Sequence, residues 1–281
     1  MGIKAIVMDV DGTLTNDKKE ITQKTREVLL KAQKQGILLV LASGRPTTGL
    51  VKMGNDLEMG RNNGLFISYN GSKVVNFQTG EELFNEPLRV EDAKAVLEHM
   101  KKFDIRPMID KGEYMYVNNV YNCMIKFRGE PFNVIKYESR GGNYKLCEVD
   151  DLAAFVDYPL NKILTAGEPE YLQEHYIEMM DPFKDKLNCM FTGPFYFEFT
   201  AKNIDKAKAL DTVLKPLNIK ADEVIAVGDG HNDISIIQYA GIGVAMENAV
   251  SDLKEAADEI TLSNEQDGIA ESLIKHIPDL A

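Results

Sequence analysis

Four aspartates and a serine in this 281-residue chain stand where apolar runs give way to polar clusters, and a lysine stands at the start of a helix. Asp9 and Asp11 follow the run Ile3 to Met8, and on an extended chain a separation of two turns both carboxylates to one side. Ser43 and Gly44 follow Ile37-Leu38-Leu39-Val40-Leu41-Ala42, while Asp229, Asn232 and Asp233 follow Val224-Ile225-Ala226-Val227. Four carboxylates brought to one sheet edge repel one another unless a divalent cation sits among them. A set of hard oxygen ligands with no histidine or cysteine suits Mg²⁺, which commonly shares a phosphate oxygen, and speaks against zinc. Lys206 falls at the first turn of a helix, where the macrodipole disfavours a cation, so its position points to an anionic ligand; Lys202, four residues earlier, is its competitor. Ser43 and the amides after it offer a phosphate seat at a helix N-terminus.

The elements that must carry these residues are legible from periodicity. Three apolar runs, at residues 3–8 (broken by Lys4 alone), 37–42 and 224–227, read as strands buried on both faces, and the helices between them give parallel βαβ units. Thr22 is a plausible N-cap and Gly36 a C′ residue for the first helix; Asp205 caps a helix from about Lys206 to Pro216. Leu65 to Tyr69 is a short strand ending in the turn signal Asn70-Gly71. Between about residues 84 and 193 the texture changes. Val96, Leu97, Met100 and Phe103 make one helical stripe, and Tyr171, Leu172, His175, Tyr176, Met179 and Met180 a second, on which His175 reads as a packed histidine. Tyr114 to Val120 and Cys123 to Phe127 read as strands, and Arg140-Gly141-Gly142-Asn143 as a loop. The fold class is therefore α/β: a doubly wound, mostly parallel sheet domain from residues 1–83 and 194–281, with an α+β module inserted at 84–193. Ligands of such sheets bind at the carboxyl ends of the strands, where the polar clusters lie.

A net charge of −12 argues against a partner such as nucleic acid or an anionic membrane surface, both of which require a basic footprint. No stretch approaches a membrane span, the N-terminus lacks the pattern of a signal peptide, and three cysteines without paired spacing read as reduced thiols, so a cytoplasmic protein is expected. Oligomeric state is not encoded in any of these features. A dinucleotide site at Gly228-x-Gly230 is excluded by Asp233, which stands where the third glycine belongs.

Asp9-Val10-Asp11-Gly12-Thr13, Ser43-Gly44-Arg45, Lys206 ahead of Ala209-Leu210, and Gly228-Asp229-Gly230-His231-Asn232-Asp233 resemble, in that order, the four signatures of the haloacid dehalogenase superfamily of phosphohydrolases. Ile67 to Gly71, Gly241 to Met246 with Asn248-Ala249, and Asp267 to Ala270 further resemble its Cof-type branch, which has an α+β cap of type IIB and includes many sugar phosphatases. Ala207 departs from the branch, which commonly has glycine after the lysine. The resemblance implies a Rossmann-like core with a cap that sets specificity, and a Mg²⁺-dependent phosphatase acting on small phosphomonoesters such as sugar phosphates. It implies Asp9 as the nucleophile that becomes an aspartyl phosphate, Asp11 as acid and then base, and Ser43, Gly44, Lys206 and Asn232 as holders of the phosphoryl group. Mg²⁺ would be bound by Asp9, the backbone carbonyl of Asp11 and Asp229, with Asp233 close by. The alternatives are a phosphomutase of the same superfamily and a non-enzymatic phospho-receiver module. Tyr114, Tyr116 and Lys162 are candidate substrate contacts of the insertion, but they read more readily as ordinary residues of it.

Overall fold

The computed structural model describes residues 2–281, and the chain divides into two compact units, Met1–Asn85 with Asp205–Ala281, and Glu86–Ile204. The first unit is built on an eight-stranded sheet in the order Glu259–Ile260, Ile242–Ala245, Val224–Gly228, Ala5–Met8, Leu38–Ala42, Leu65–Ser68, Lys73–Asn76, Glu82–Asn85. The first six strands are parallel, Lys73–Asn76 runs antiparallel to them, and Glu82–Asn85 pairs antiparallel with Lys73–Asn76. Ala5 pairs with Val224 on one side and Leu38 on the other, and every residue of these three strands is buried, which is why their sequences lack alternation. From Ala5–Met8 the chain winds outward first toward Leu38–Ala42 and later toward Val224–Gly228. The strand order thus reverses beside Ala5–Met8, the place where open parallel sheets form a crevice.

Helices of this unit start where the capping residues dictate. Thr22 accepts from the Thr25 amide and opens helix Gln23–Lys34, whose Val28, Leu29 and Ala32 lie against the sheet. Asp205 accepts from the Lys208 amide and opens helix Lys206–Leu214, with Ala209, Leu210, Val213 and Leu214 buried; Ala207 packs partly buried against the same core. Leu214 ends the α-helical hydrogen bonding two residues short of the expected Pro216, and a single tighter turn, Lys215–Leu217, follows.

The second unit contains a six-stranded sheet in the order Lys145–Glu148, Tyr114–Val117, Arg106–Lys111, Ile163–Ala166, Tyr196–Ala201, Leu187–Gly193. Neighbours are antiparallel except the first pair. Helices Val90–Met100 and Pro169–Met180 bury Val96, Leu97, Leu172 and Met179 in one core with Phe197 and Phe199. His175 lies on that helix against Tyr171 and Phe103, with ring centroids 4.3 and 6.2 Å away. A hairpin, Met124–Phe127 with Glu130–Asn133, leads into helix Val134–Gly141.

Two sequence expectations need correction here. The insertion runs over 86–204 and not 84–193, because Glu82–Asn85 pairs with Lys73–Asn76 in the first sheet while Tyr196–Ala201 is an interior strand of the second. Arg140 and Gly141 end a helix and do not begin a loop: Asn133 caps it and the buried Val134 and Ile135 anchor it, overriding the low helical propensity of glycine.

Candidate active site

Asp9 lies one residue past Ala5–Met8 and is 6% exposed, so its carboxylate must be satisfied from within the protein. The chain then turns back on itself, with Leu14 N–H donating to the Asp9 carbonyl at 3.2 Å and Thr15 N–H to the Val10 carbonyl at 3.0 Å. Gly12 makes this turn at φ +85°, and a Cβ there would fall 2.4 Å from Oδ2 of Asp229, so both the backbone and the close approach require glycine. Thr13 donates its hydroxyl to Asp229 Oδ1 at 2.7 Å, tying the first strand's loop to that after Val224–Gly228.

Lys206 is the charge centre of the site. Its Nζ donates to Asp9 Oδ1 and to Asp233 Oδ1, each at 2.6 Å, and its side chain is fully buried. Asp233 is fixed by accepting at Oδ2 from the amides of Asp229 (3.1 Å) and Gly230 (2.9 Å). Lys202, the competing lysine, is exposed and donates to the Lys184 carbonyl at 2.8 Å within the second unit. Carboxylate oxygens of Asp9, Asp229 and Asp233 lie within 4.8 Å of one another. Burial, then the Asp233 charge, raises the Asp9 carboxyl well above its ordinary range, although Lys206 pulls it down. Burial likewise pushes Asp229 up to about 6 against the Thr13 hydrogen bond. Burial opposes the Lys206 ammonium, but the charges of Asp233 and Asp9 prevail and raise its pKa. Three clustered carboxylates, only two of them paired with the one lysine, remain short of positive charge, and a hard divalent cation fits that deficit and that all-oxygen donor set.

Asp11 stands apart from the trio. Its carboxylate receives the guanidinium fork of Arg45, Nε to Oδ2 and NH2 to Oδ1 at 2.6 Å each, and Lys19 Nζ at 2.9 Å. Burial raises its pKa, but the Arg45 hydrogen bonds and charge, then those of Lys19, prevail and hold it at about 2. The Asp11 carboxylate is thus not among the clustered metal-type oxygens, leaving its carbonyl as the ligand that the resemblance implies.

The Ser43 side of the site is built from backbone bonds. Ser43 is 2% exposed, its amide donates to the Ile67 carbonyl at 2.8 Å, and its hydroxyl accepts from the Arg45 amide at 3.1 Å. The helix expected after Pro46 begins as a tight turn, Thr47–Leu50, and becomes α-helical at Val51–Asp56. Asn232 reaches across to Asn70, its Nδ2 donating to Asn70 Oδ1 at 2.9 Å. All the site residues expected from sequence therefore lie in the first unit, at loops after adjacent parallel strands or at the start of Lys206–Leu214. Sequence reasoning gave no role to Lys19, Arg45 or Asn70. Arg45 carried a signal, since it completes Ser-Gly-Arg; Lys19 carried none.

A profile of haloacid dehalogenase-like hydrolases matches residues 6–273. The chain is 30% identical to a 5-amino-6-(5-phospho-D-ribitylamino)uracil phosphatase of Bacillus subtilis, over 96% of this chain and 94% of that one. A haloacid dehalogenase-like hydrolase from Bacteroides thetaiotaomicron superposes with a TM-score of 0.89 at 36% identity, covering 97% of this chain and 99% of the other. A subclass IIB sugar phosphatase of the superfamily shares the fold with a TM-score of 0.77 at 24% identity, covering 98% and 99% of the two chains. With this match over nearly its whole length, the chain belongs to the haloacid dehalogenase-like hydrolases and is a phosphoric monoester hydrolase.

Proposed function

We propose that the protein is a Mg²⁺-dependent phosphatase of small sugar phosphates that works through an aspartyl phosphate on Asp9. The observation that carries this reading is the cluster of Asp9, Asp229 and Asp233 at the sheet's switch point, with the buried Lys206 paired to Asp9 and Asp233. Asp9 attacks phosphorus, splitting a difficult hydrolysis into two displacements. Lys206 accompanies the nucleophile and, with the Ser43 hydroxyl, the Gly44 amide and Asn232, holds the transferring phosphoryl, whose charge spreads over its equatorial oxygens. Asp9, the Asp11 carbonyl and Asp229 would hold Mg²⁺, with Asp233 beside them. When bound, the ion supplies charge neutralisation for the phosphoryl oxygens.

Asp11 protonates the departing alcohol and then takes a proton from the hydrolytic water. The ion pairs described above suit the second of these tasks, because they keep the carboxyl ionised. Donation in the first requires Arg45 and Lys19 to release it. The second unit supplies the contacts that select the substrate's alcohol portion, the role of a cap, and the likeness of fold to a subclass IIB sugar phosphatase favours a polyol there. A cytoplasmic setting agrees with this substrate class; among the described residues no helix is long and apolar enough to cross a membrane.

The test is phosphate release over a panel of phosphomonoesters, with and without chelator, for the wild type and Asp9→Asn. Turnover of a sugar phosphate that stops on chelation, returns with Mg²⁺ and is lost in Asp9→Asn is expected. Turnover that survives exhaustive chelation sinks the metal role, and an active Asp9→Asn sinks the nucleophile.

A further inference from the structure

Three consecutive residues, Tyr69, Asn70 and Gly71, have positive φ, at 52°, 56° and 101°. A left-handed run containing a tyrosine is unfavourable locally, so the surrounding structure must impose it. The turn touches three of the four signature segments. Tyr69 N–H donates to the Arg45 carbonyl at 2.9 Å and Asn70 N–H to the Ser43 carbonyl at 3.0 Å, fixing the loop of Ser43 and Gly44. The Asn70 side chain, in a residue only 8% exposed, lies against Gly44, where an added Cβ would meet its amide at 3.1 Å, and accepts from Asn232 Nδ2 at 2.9 Å. Gly71 packs on the start of the Lys206 helix so closely that a Cβ would stand 2.2 Å from the Asp205 carbonyl oxygen. The loops of Ser43 and Asn232, and the helix start carrying Lys206, thus share one frame.

We propose that Asn70 is a positioning residue for phosphoryl transfer, acting through Asn232: its side-chain oxygen holds the Asn232 amide in the phosphoryl seat, while its backbone independently fixes Ser43. The proposal rests on the reading of the site given above. Asparagine suits the position because it tolerates the left-handed region and carries an acceptor on a short side chain. The two contributions can be separated. Asn70→Gly keeps the backbone conformation and its bond to Ser43 but deletes the acceptor, and Asn70→Asp keeps the acceptor.

The experiment is a cycle on the Mg²⁺-loaded full chain, in which Asn232→Ala is placed in the wild-type, Asn70→Gly and Asn70→Asp backgrounds. It reads kcat and KM for an aryl phosphate, the inhibition constant of inorganic phosphate and the thermal midpoint. Asn70→Gly is expected to keep the midpoint, to weaken phosphate inhibition and to lower kcat/KM by about tenfold to a hundredfold. Adding Asn232→Ala should then cost little more, whereas in the wild-type and Asn70→Asp backgrounds it should exact its full loss. Asn70→Ser, whose hydroxyl is too short to reach Asn232, takes the place of Asn70→Gly if the glycine variant unfolds. Multiplicative losses, or an Asn70→Gly enzyme with unaltered kinetics, overturn the proposal alone. A wild type that releases no phosphate from any monoester overturns the reading beneath it.

Discussion

Replacing Lys206 by methionine removes the cation between two carboxylates while keeping most of the side chain's volume. Lys206 Nζ lies 2.6 Å from both Asp9 and Asp233, and the three side chains are 0, 8 and 1% exposed, so solvent cannot take over the lost interaction. Removing one partner from a buried ion pair costs about 3–5 kcal/mol, a large part of the ~5–15 kcal/mol that holds a folded protein together. The sign of the pH dependence follows from Asp9. Its folded carboxyl titrates well above the ordinary value because burial and then Asp233 raise it, with Lys206 among the influences that lower it. Loss of Lys206 therefore raises it further. A carboxyl raised by folding is tolerated below its unfolded pKa and destabilises as pH climbs through the folded value. In chelator, the variant's stability deficit should be smaller at an acid pH than at an alkaline one. Urea unfolding of the two proteins at both pH values measures this. Activity should fall by about 10²–10³ in kcat, as for a preorganised donor at developing charge, whereas Lys202→Met should leave both stability and turnover nearly intact. A Lys206→Met protein as stable as wild type at the higher pH would refute the view that this lysine compensates buried carboxylates. A greater loss of activity in Lys202→Met would mean that the wrong lysine has been assigned.

Two further outcomes test the proposed roles. Asp11→Asn should spare an aryl phosphate more than an alkyl phosphate, since a good leaving group needs little protonation, and equal losses on both would remove the acid role from Asp11. Bridging Asn85 to Asp205 with a short linker in place of residues 86–204 should cost far more kcat/KM with the best sugar phosphate than with an aryl phosphate, because only the former has a remote portion to contact; strand Glu82–Asn85 and helix Lys206–Leu214 contact each other, so the ends are near. A folded capless enzyme with unchanged selectivity between the two substrates would show that the second unit does not set specificity.

The first unit was readable because its central strands are buried on both faces, a condition that writes itself as unbroken apolar runs ending in polar clusters. Residue types at those ends are set by what they hold, so Asp9, Asp229 and Asp233 were legible together as a cluster, and Lys206 by its place at a helix start. Contacts made by folding left weaker traces. Arg45 and Lys19 both reach Asp11, from 34 and 8 residues away in sequence, and nothing local distinguishes a lysine that will reach a carboxylate from one that stays in solvent. Asn70-Gly71 was legible as a turn, but not as a turn that two loops and a helix start share, since that depends on the packing of Gly71 against Asp205. In the second unit, Tyr196–Ala201 is buried along its whole length, with Phe197 and Phe199 turned toward one core and Glu198 turned away to Lys162 at 3.1 Å. Its boundary with the first unit was misplaced because a strand of one sheet followed by the cap of the next helix has no composition break between them. What the sequence conveys well, then, is chemistry demanded at fixed points of the chain; what it conveys poorly is chemistry modified by partners recruited from elsewhere, and Asp11 is where the two differ most. The resemblance implies an acid there, beside a nucleophile, whereas Arg45 and Lys19 make it a carboxylate that they must release before it can give the proposed proton.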